Sequence, residues 1–159
     1  MNWRNYSPQW LDRLFASIVY LVPLTDALGF GGYLFRQFPP LSLITVPLFP
    51  LIIINSIPFG GFILFILLFV AVVRNTRISH FIRFNTMQAI LMDILLILIG
   101  LVFRYLVGGL GFSLITETLA NTVFLGTLVA CVYAMVQAAS GKYPEIPAIS
   151  SAAHSQVPW

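Results

Sequence analysis

The chain has 159 residues, of which 59% are hydrophobic and only 8% charged, where an ordinary soluble domain is about 25% charged. A chain of this length buries about 70% of its unfolded surface, too little to hide so much apolar side chain from water, so the excess must face hydrocarbon; the composition also excludes disorder, and the single Cys131 excludes an internal disulfide or a zinc module. The net charge of +3, from seven Arg and one Lys, is too small and scattered for a nucleic-acid surface and bears on membrane orientation instead.

In chain order, residues 1–13 read as an interfacial segment. Trp3, Tyr6 and Trp10 suit the headgroup level, and Ser7-Pro8 has the form of an N-cap followed by proline at the first helical position. A membrane span needs about 20 mainly apolar residues, and four stretches qualify: 14–35, 57–73, 87–107 and 119–136. The first contains Pro23 and Asp26 and ends in Gly29, Gly31 and Gly32, so a bend past its middle is expected. Residues 39–54 are apolar but broken by Pro47 and Pro50; they read as a fifth span, a re-entrant piece or an interfacial segment. With four spans, Arg4, Arg13, Arg74, Arg77, Arg83 and Lys142 share one side against Arg36 and Arg104, whereas a fifth span splits the charges more evenly. The positive-inside rule therefore favours four spans. Both termini then lie in the cytoplasm or stroma, with 39–54 in the opposite interface. The expectation is an all-α polytopic membrane protein: a transmembrane domain over 14–138 and, over 139–159, an irregular tail with Pro144, Pro147 and Pro158.

Polar residues inside spans must face protein or water. Asp93 and Arg104 are three helical turns apart, on one face with Asn85, Ala89, Ile97 and Gly100. That stripe reads as the wall of a hydrated path or a polar docking face, with Asp26 sharing its environment. The plainer alternative is that Asp93 takes hydrogen bonds from a neighbouring helix and Arg104 snorkels. Asn121 offers an interhelical hydrogen bond, and Thr122, Gly126, Ala130, Ala134 and Ala138 form a small-residue seam for helix packing. The connection between the second and third spans holds Arg74, Arg77, His80, Arg83, Asn85 and Gln88 among Phe81, Ile82 and Phe84, an amphipathic segment suited to lipid phosphates or a partner. One His in a basic loop is more often hydrogen-bonded than a metal ligand, so no metal, pigment or other cofactor is predicted. No nucleophile, paired acid or phosphate-loop pattern appears, and no enzymatic activity is expected.

The cluster Arg74-Asn75, His80-Phe81, Arg83-Phe84-Asn85 and Met87-Gln88-Ala89 resembles the signature of the family of the twenty-kilodalton subunit of the translocon at the inner envelope of chloroplasts (Tic). Tyr20-Leu21-Val22-Pro23-Leu24 with Gly29 and Phe30, the segment Ile57-Pro58-Phe59, and the tail Pro144-Glu145-Ile146-Pro147-Ala148-Ile149-Ser150 with Ala152-Ala153 are similar in content and order. The resemblance implies four transmembrane helices, both ends in the stroma or cytoplasm, and a part in protein translocation within a larger assembly. With no transit-peptide pattern before the first span, the chain resembles the cyanobacterial or plastid-encoded branch. Its place is then a cyanobacterial plasma or thylakoid membrane, or a plastid membrane.

Four helices about 10 Å across close on a core of side chains and leave no room for a polypeptide, so the chain reads as one subunit of a complex. Its expected partners are membrane lipids, other membrane-protein subunits and a translocating polypeptide. Two other readings remain: an accessory or assembly subunit of a photosynthetic membrane complex, and a small ion or proton carrier built on Asp26, Asp93 and Arg104.

Overall fold

The computed structural model describes residues 7–107, 109 and 114–157, and among them every regular element is helical. In chain order these are α1 (Trp10–Ile18), α2 (Leu21–Ala27), α3 (Gly32–Gln37), α4 (Thr45–Ser56), α5 (Gly60–Leu67), α6 (His80–Val102), α7 (Leu114–Ala139) and α8 (Ile149–Gln156). Tighter or looser turns extend several of them: Leu28–Phe30 and Pro39–Ile44 are 3-10, and Leu68–Val73 and Phe103–Val107 are π.

Four segments are long and apolar enough to cross a bilayer: Trp10–Phe30, Pro39–Ser56, His80–Tyr105 and Leu114–Ala139. They differ from the sequence expectation in the second quarter of the chain. Residues expected to lie in the interface form the helical run Pro39–Ser56, while the expected span at 57–73 shrinks to Gly60–Val73, 14 residues and about 21 Å long. The prolines are less disruptive than the sequence suggests. Pro39 and Pro40 open the 3-10 turn and Pro47 falls in the first turn of α4, where a missing N–H costs little, so only Pro50 interrupts the ladder.

Contacts between elements set the directions. The rod made of α1 and α2 runs antiparallel to α7: Ser17 Oγ donates to the Met135 carbonyl (3.2 Å), Phe35 meets Phe124 edge-on (5.3 Å), and Gln37 Nε2 donates to Glu117 (2.6 Å). Alongside it, α6 runs in the same direction, with Tyr20 against Asn85 near the start and Phe30 against Phe103 near the end. Residues 7–13, 74–85 and 140–157 therefore gather at one end of the bundle, and 31–37 with 103–107 and 114–117 at the other. Between them the chain returns by way of α4 and α5. Arg13, Arg74, Arg77, Arg83 and Lys142 stand at the first end, and Arg36 and Arg104 at the second.

The core holds Ala16, Tyr20 and Leu24 of the first rod, Leu48 of α4, Phe81, Ala89 and Met92 of α6, and Cys131, Ala134 and Ala138 of α7. Outward, Leu14, Phe15, Phe62, Leu98, Val129 and many other apolar side chains stay exposed, the surface a hydrocarbon solvent would cover. The small-residue seam of α7 is only half used. Ala134 and Ala138 are fully buried, Ala130 is half-buried, and Gly126 and Thr122 face outward. A four-residue interval advances about 40° around the helix axis, so a seam of five such positions turns by about 160° and cannot keep to one neighbour.

Two ends differ from expectation as well. The first helix starts at Trp10 with Gln9 as its N-cap rather than at Ser7-Pro8, because Asp12 reaches back to the Gln9 N–H (3.2 Å) and closes a capping box. The tail is irregular only to Ala148. Residues Ile149–Gln156 form α8, and Ser150, Ala153 and Val157 are buried on the bundle. At the end of α7 the chain turns on Gly141 (φ +76°), where a β-carbon would stand 2.9 Å from the Arg13 guanidinium Nε. Glycine takes that left-handed backbone without the strain a β-carbon would bring.

Candidate functional site

Two polar groups stand out, one at the loop end of α6 and one at its middle. At the loop end, Ser79 caps α6 by accepting from the Ile82 N–H, and the next ten residues are mostly buried although many are polar. Asn85 and Gln88 are fully buried and Arg83 is 7% exposed. Each has a local structural job. Asn85 Oδ1 accepts from the Tyr20 hydroxyl (2.8 Å) while its Nδ2 donates to the Phe81 carbonyl (2.8 Å), tying the first rod to α6. The Arg83 Nε donates to the Val73 carbonyl (2.9 Å), holding the end of the π turn that follows α5. Gln88 Oε1 accepts from Ser150 Oγ (3.3 Å), leaving Nε2 without a partner.

The tail folds back over this surface as a clasp. Tyr143 stands edge-on to Phe81 (5.0 Å) and Phe84 (5.1 Å), and His154 packs on Phe84 (4.4 Å), in the offset geometry aromatic quadrupoles prefer. His80 bonds through Nε2 to the Val157 carbonyl (3.1 Å) and through Nδ1 to the Tyr143 hydroxyl (3.0 Å). A carbonyl only accepts, so Nε2 carries the hydrogen, and in the neutral ring Nδ1 accepts from the phenol. Ser150 Oγ also accepts from the Ile146 N–H (2.6 Å) and reaches the Pro144 carbonyl (3.1 Å), closing the turn that precedes α8. Of the loop's sequence-predicted residues, Arg74 and Arg77 alone are fully exposed.

At the middle of α6, Asp93 is thirteen residues from His80 and twelve from Tyr105, so about 20 Å from either end of the helix. It is 6% exposed, and its Oδ1 has no hydrogen-bond partner. Asp26 of α2 lies in hydrogen-bonding contact with it and accepts in turn from Asn55 Nδ2 (2.8 Å) at the end of α4. The three residues line a cavity of about 590 Å³ walled by Phe59, Phe62, Ile97 and Leu98. Arg104 does not join them. It is exposed at the far end beside Tyr105 (5.9 Å). The expected polar stripe is thus divided: Asn85, Ala89 and Asp93 are buried, and Ile97 and Arg104 face outward. The buried part is covered by the first rod, through Tyr20 at Asn85 and Asp26 at Asp93. Asn121 carries a buried Oδ1 without a partner, apart from both groups.

The family model for the chloroplast import apparatus Tic20-like proteins matches residues 3–153 of the chain. The chain belongs to the Tic20 family. It is 53% identical over 155 residues to a Tic20 family protein of Synechocystis, covering 96% of this chain and 97% of that one. It is 39% identical to the Arabidopsis protein TIC 20-v, chloroplastic, over 92% of this chain and 71% of the relative, and 33% identical to the Tic20 family protein Ycf60 of Cyanidium caldarium over 94% and 75%. Tic20 is a non-enzymatic translocon component, and four apolar helices make this member a multi-pass membrane protein.

The stretches that carry the resemblance to Tic20 meet in space. Tyr20 of the first rod bonds to Asn85 of α6, Ser150 of the tail bonds to Gln88 of α6, and Arg83 of α6 holds the Val73 carbonyl next to Arg74. Sequence reading missed Tyr143 and His154 as members of the clasp, and Asn55 as the partner of Asp26. Asn55 left a signal, being a single carboxamide at the close of a long apolar run. Ser150 stood in the tail stretch that carries the resemblance, while Tyr143 and His154 left no signal, because such residues are ordinary in an irregular segment.

Proposed function

We propose that this Tic20-family chain is an integral membrane subunit of a multiprotein complex that moves polypeptides across a cyanobacterial plasma or thylakoid membrane, or a plastid membrane. Both termini, the loop at 74–79 and the tail clasp lie on the cytoplasmic or stromal side. The orientation follows from charge: five of the described basic residues stand at the end where N-terminal segment, loop and tail gather, and two at the other. Arg74, Arg77 and Lys142, exposed at that end, face anionic lipid or a neighbouring subunit.

The observation that carries the reading is the filled core of a Tic20-family bundle. Among the described residues Tyr20, Phe81 and Phe84 fill the loop end of the bundle and Phe124 packs with Ala27 and Leu96 further along, all four buried to within 1%, so a conducting path belongs to an assembly of which this chain is one wall. The test places a photo-crosslinking amino acid at Ile97, which is exposed beside the mid-helix cavity. Crosslinks to an arrested translocating chain support the reading. Crosslinks to other subunits with none to substrate, or co-purification with pigment–protein subunits alone in mild detergent, overturn it.

A further inference from the structure

The cavity between α2, α5 and α6 has a polar floor at the depth where a bilayer is least able to solvate charge. Asp93 is 94% buried by the complement of its 6% exposure, and its Oδ1 points at no donor. Its neighbour Asp26 is another carboxyl, and the single hydrogen bond the pair receives from elsewhere comes from a neutral amide, Asn55. Among the described residues no Lys or Arg lines the cavity, and the basic ones all sit toward the two ends of the bundle. Acids in this setting ordinarily face a cation or a donor network, because an uncompensated buried charge is costly.

Size and walls narrow the occupant. About 590 Å³ is far more than a bare ion fills, and Phe59, Phe62, Ile97 and Leu98 give apolar walls that are themselves exposed on the outer face of the bundle. The cavity therefore opens sideways into hydrocarbon rather than along the bundle axis. A group entering that way comes from within the membrane, on an apolar stem, with a positive donor at its tip.

We propose that this cavity receives the lysine or arginine side chain of a membrane-embedded helix from a partner protein. The aliphatic stem lies along the phenylalanine and leucine walls, and the ammonium or guanidinium group reaches the free Asp93 Oδ1 and the Asp26 carboxyl. Pairing at that depth gives both acid and base a counter-charge that neither has alone, and it fixes one register of the incoming helix against α6. The proposal rests on the translocon reading only in taking the partner to be a membrane helix.

The test uses the full-length chain, with a donor dye on a C-terminal tag, in phosphatidylcholine vesicles. The probes are two synthetic leucine-rich transmembrane helices bearing an acceptor dye, one with a single central lysine and the other with norleucine in its place. Energy transfer is expected to show the lysine helix binding about tenfold more tightly, and Asp26→Asn with Asp93→Asn to erase the difference. A second variant, Ile97→Trp, fills the cavity without touching either carboxyl and is expected to weaken lysine-helix binding while leaving the thermal unfolding of the chain in place. Equal binding of the two helices, or a lysine preference that survives either variant, overturns the proposal. The vesicles hold neither translocon nor substrate, so this result is read apart from the crosslinking experiment above.

Discussion

Removing one oxygen from Tyr20 tests whether the hydrogen bond to Asn85 holds the first rod on α6. Both residues are fully buried and the bond is 2.8 Å long. Interhelical hydrogen bonds in membrane proteins average only about 0.6 kcal/mol, because the chain inserted in lipid finds substitute partners. Here the substitution Tyr20→Phe leaves Asn85 Oδ1 buried with no donor, since Nδ2 remains engaged with the Phe81 carbonyl and the side chain cannot turn without losing that bond. The cost of a stranded acceptor, about 1–3 kcal/mol, then sets the scale, and we expect about 1.5 kcal/mol, in the lower half of that range because a phenyl ring keeps the packing. Asn85→Leu strands the Tyr20 hydroxyl and costs a similar amount. The double variant removes both polar groups and is expected to recover at least half of the summed loss. Reversible unfolding of purified protein in mixed micelles, followed by helical circular dichroism, measures the cycle. A Tyr20→Phe loss within about 0.3 kcal/mol of zero, or strict additivity in the double variant, refutes the reasoning.

Two further outcomes follow from local geometry. Gly60→Ala drives a methyl group into the Ile54 backbone carbonyl across the turn between α4 and α5; a backbone atom cannot yield as a side-chain tip can, so a loss of about 2–3 kcal/mol is expected in the same unfolding assay. Ser150→Ala removes the acceptor of the Ile146 N–H and the donor to Gln88 and Pro144. Hydrogen exchange at residues 142–157 is expected to rise about tenfold while exchange in the middle of α6 stays unchanged, since the tail opens as a local unit.

How much of this was legible in the sequence depends on what covers each residue. Long apolar runs identified α6 and α7, because hydrocarbon on most sides leaves an unbroken hydrophobic stretch. The third span is expected from residue 87 because Arg83, Asn85 and Gln88 look like the end of a span, whereas α6 starts at His80; Arg83 bonds to the Val73 carbonyl, Asn85 to Tyr20 and Phe81, and Gln88 to the folded-back tail, and a window of hydropathy has no view of a partner 62 residues away. The same gap hid the direction in which the signature faces. A polar residue that meets its own tail and one that meets another subunit have the same composition. The prolines of 39–54 argued against a helix by their number, whereas the fold decides by their position within the turn. Asp26 and Asp93 read from the sequence as intramembrane acids sharing one environment, and the contact of α2 with α6 brings them together; Asn55 enters only with the elbow that ends α4.

That elbow has a consequence for the lipid around it. Ile57 and Phe59 are more than half exposed, Phe59 takes a left-handed backbone (φ +62°), and the turn lies level with the middle of α6 rather than at its end. From there to Arg74 the 14-residue run, about 21 Å long, faces only the half of the acyl layer nearer Arg74, and α4 faces the other half. Lipid on that side of the bundle therefore meets two short helices end to end, with Ile57 and Phe59 at the joint pressed against acyl chains instead of headgroups.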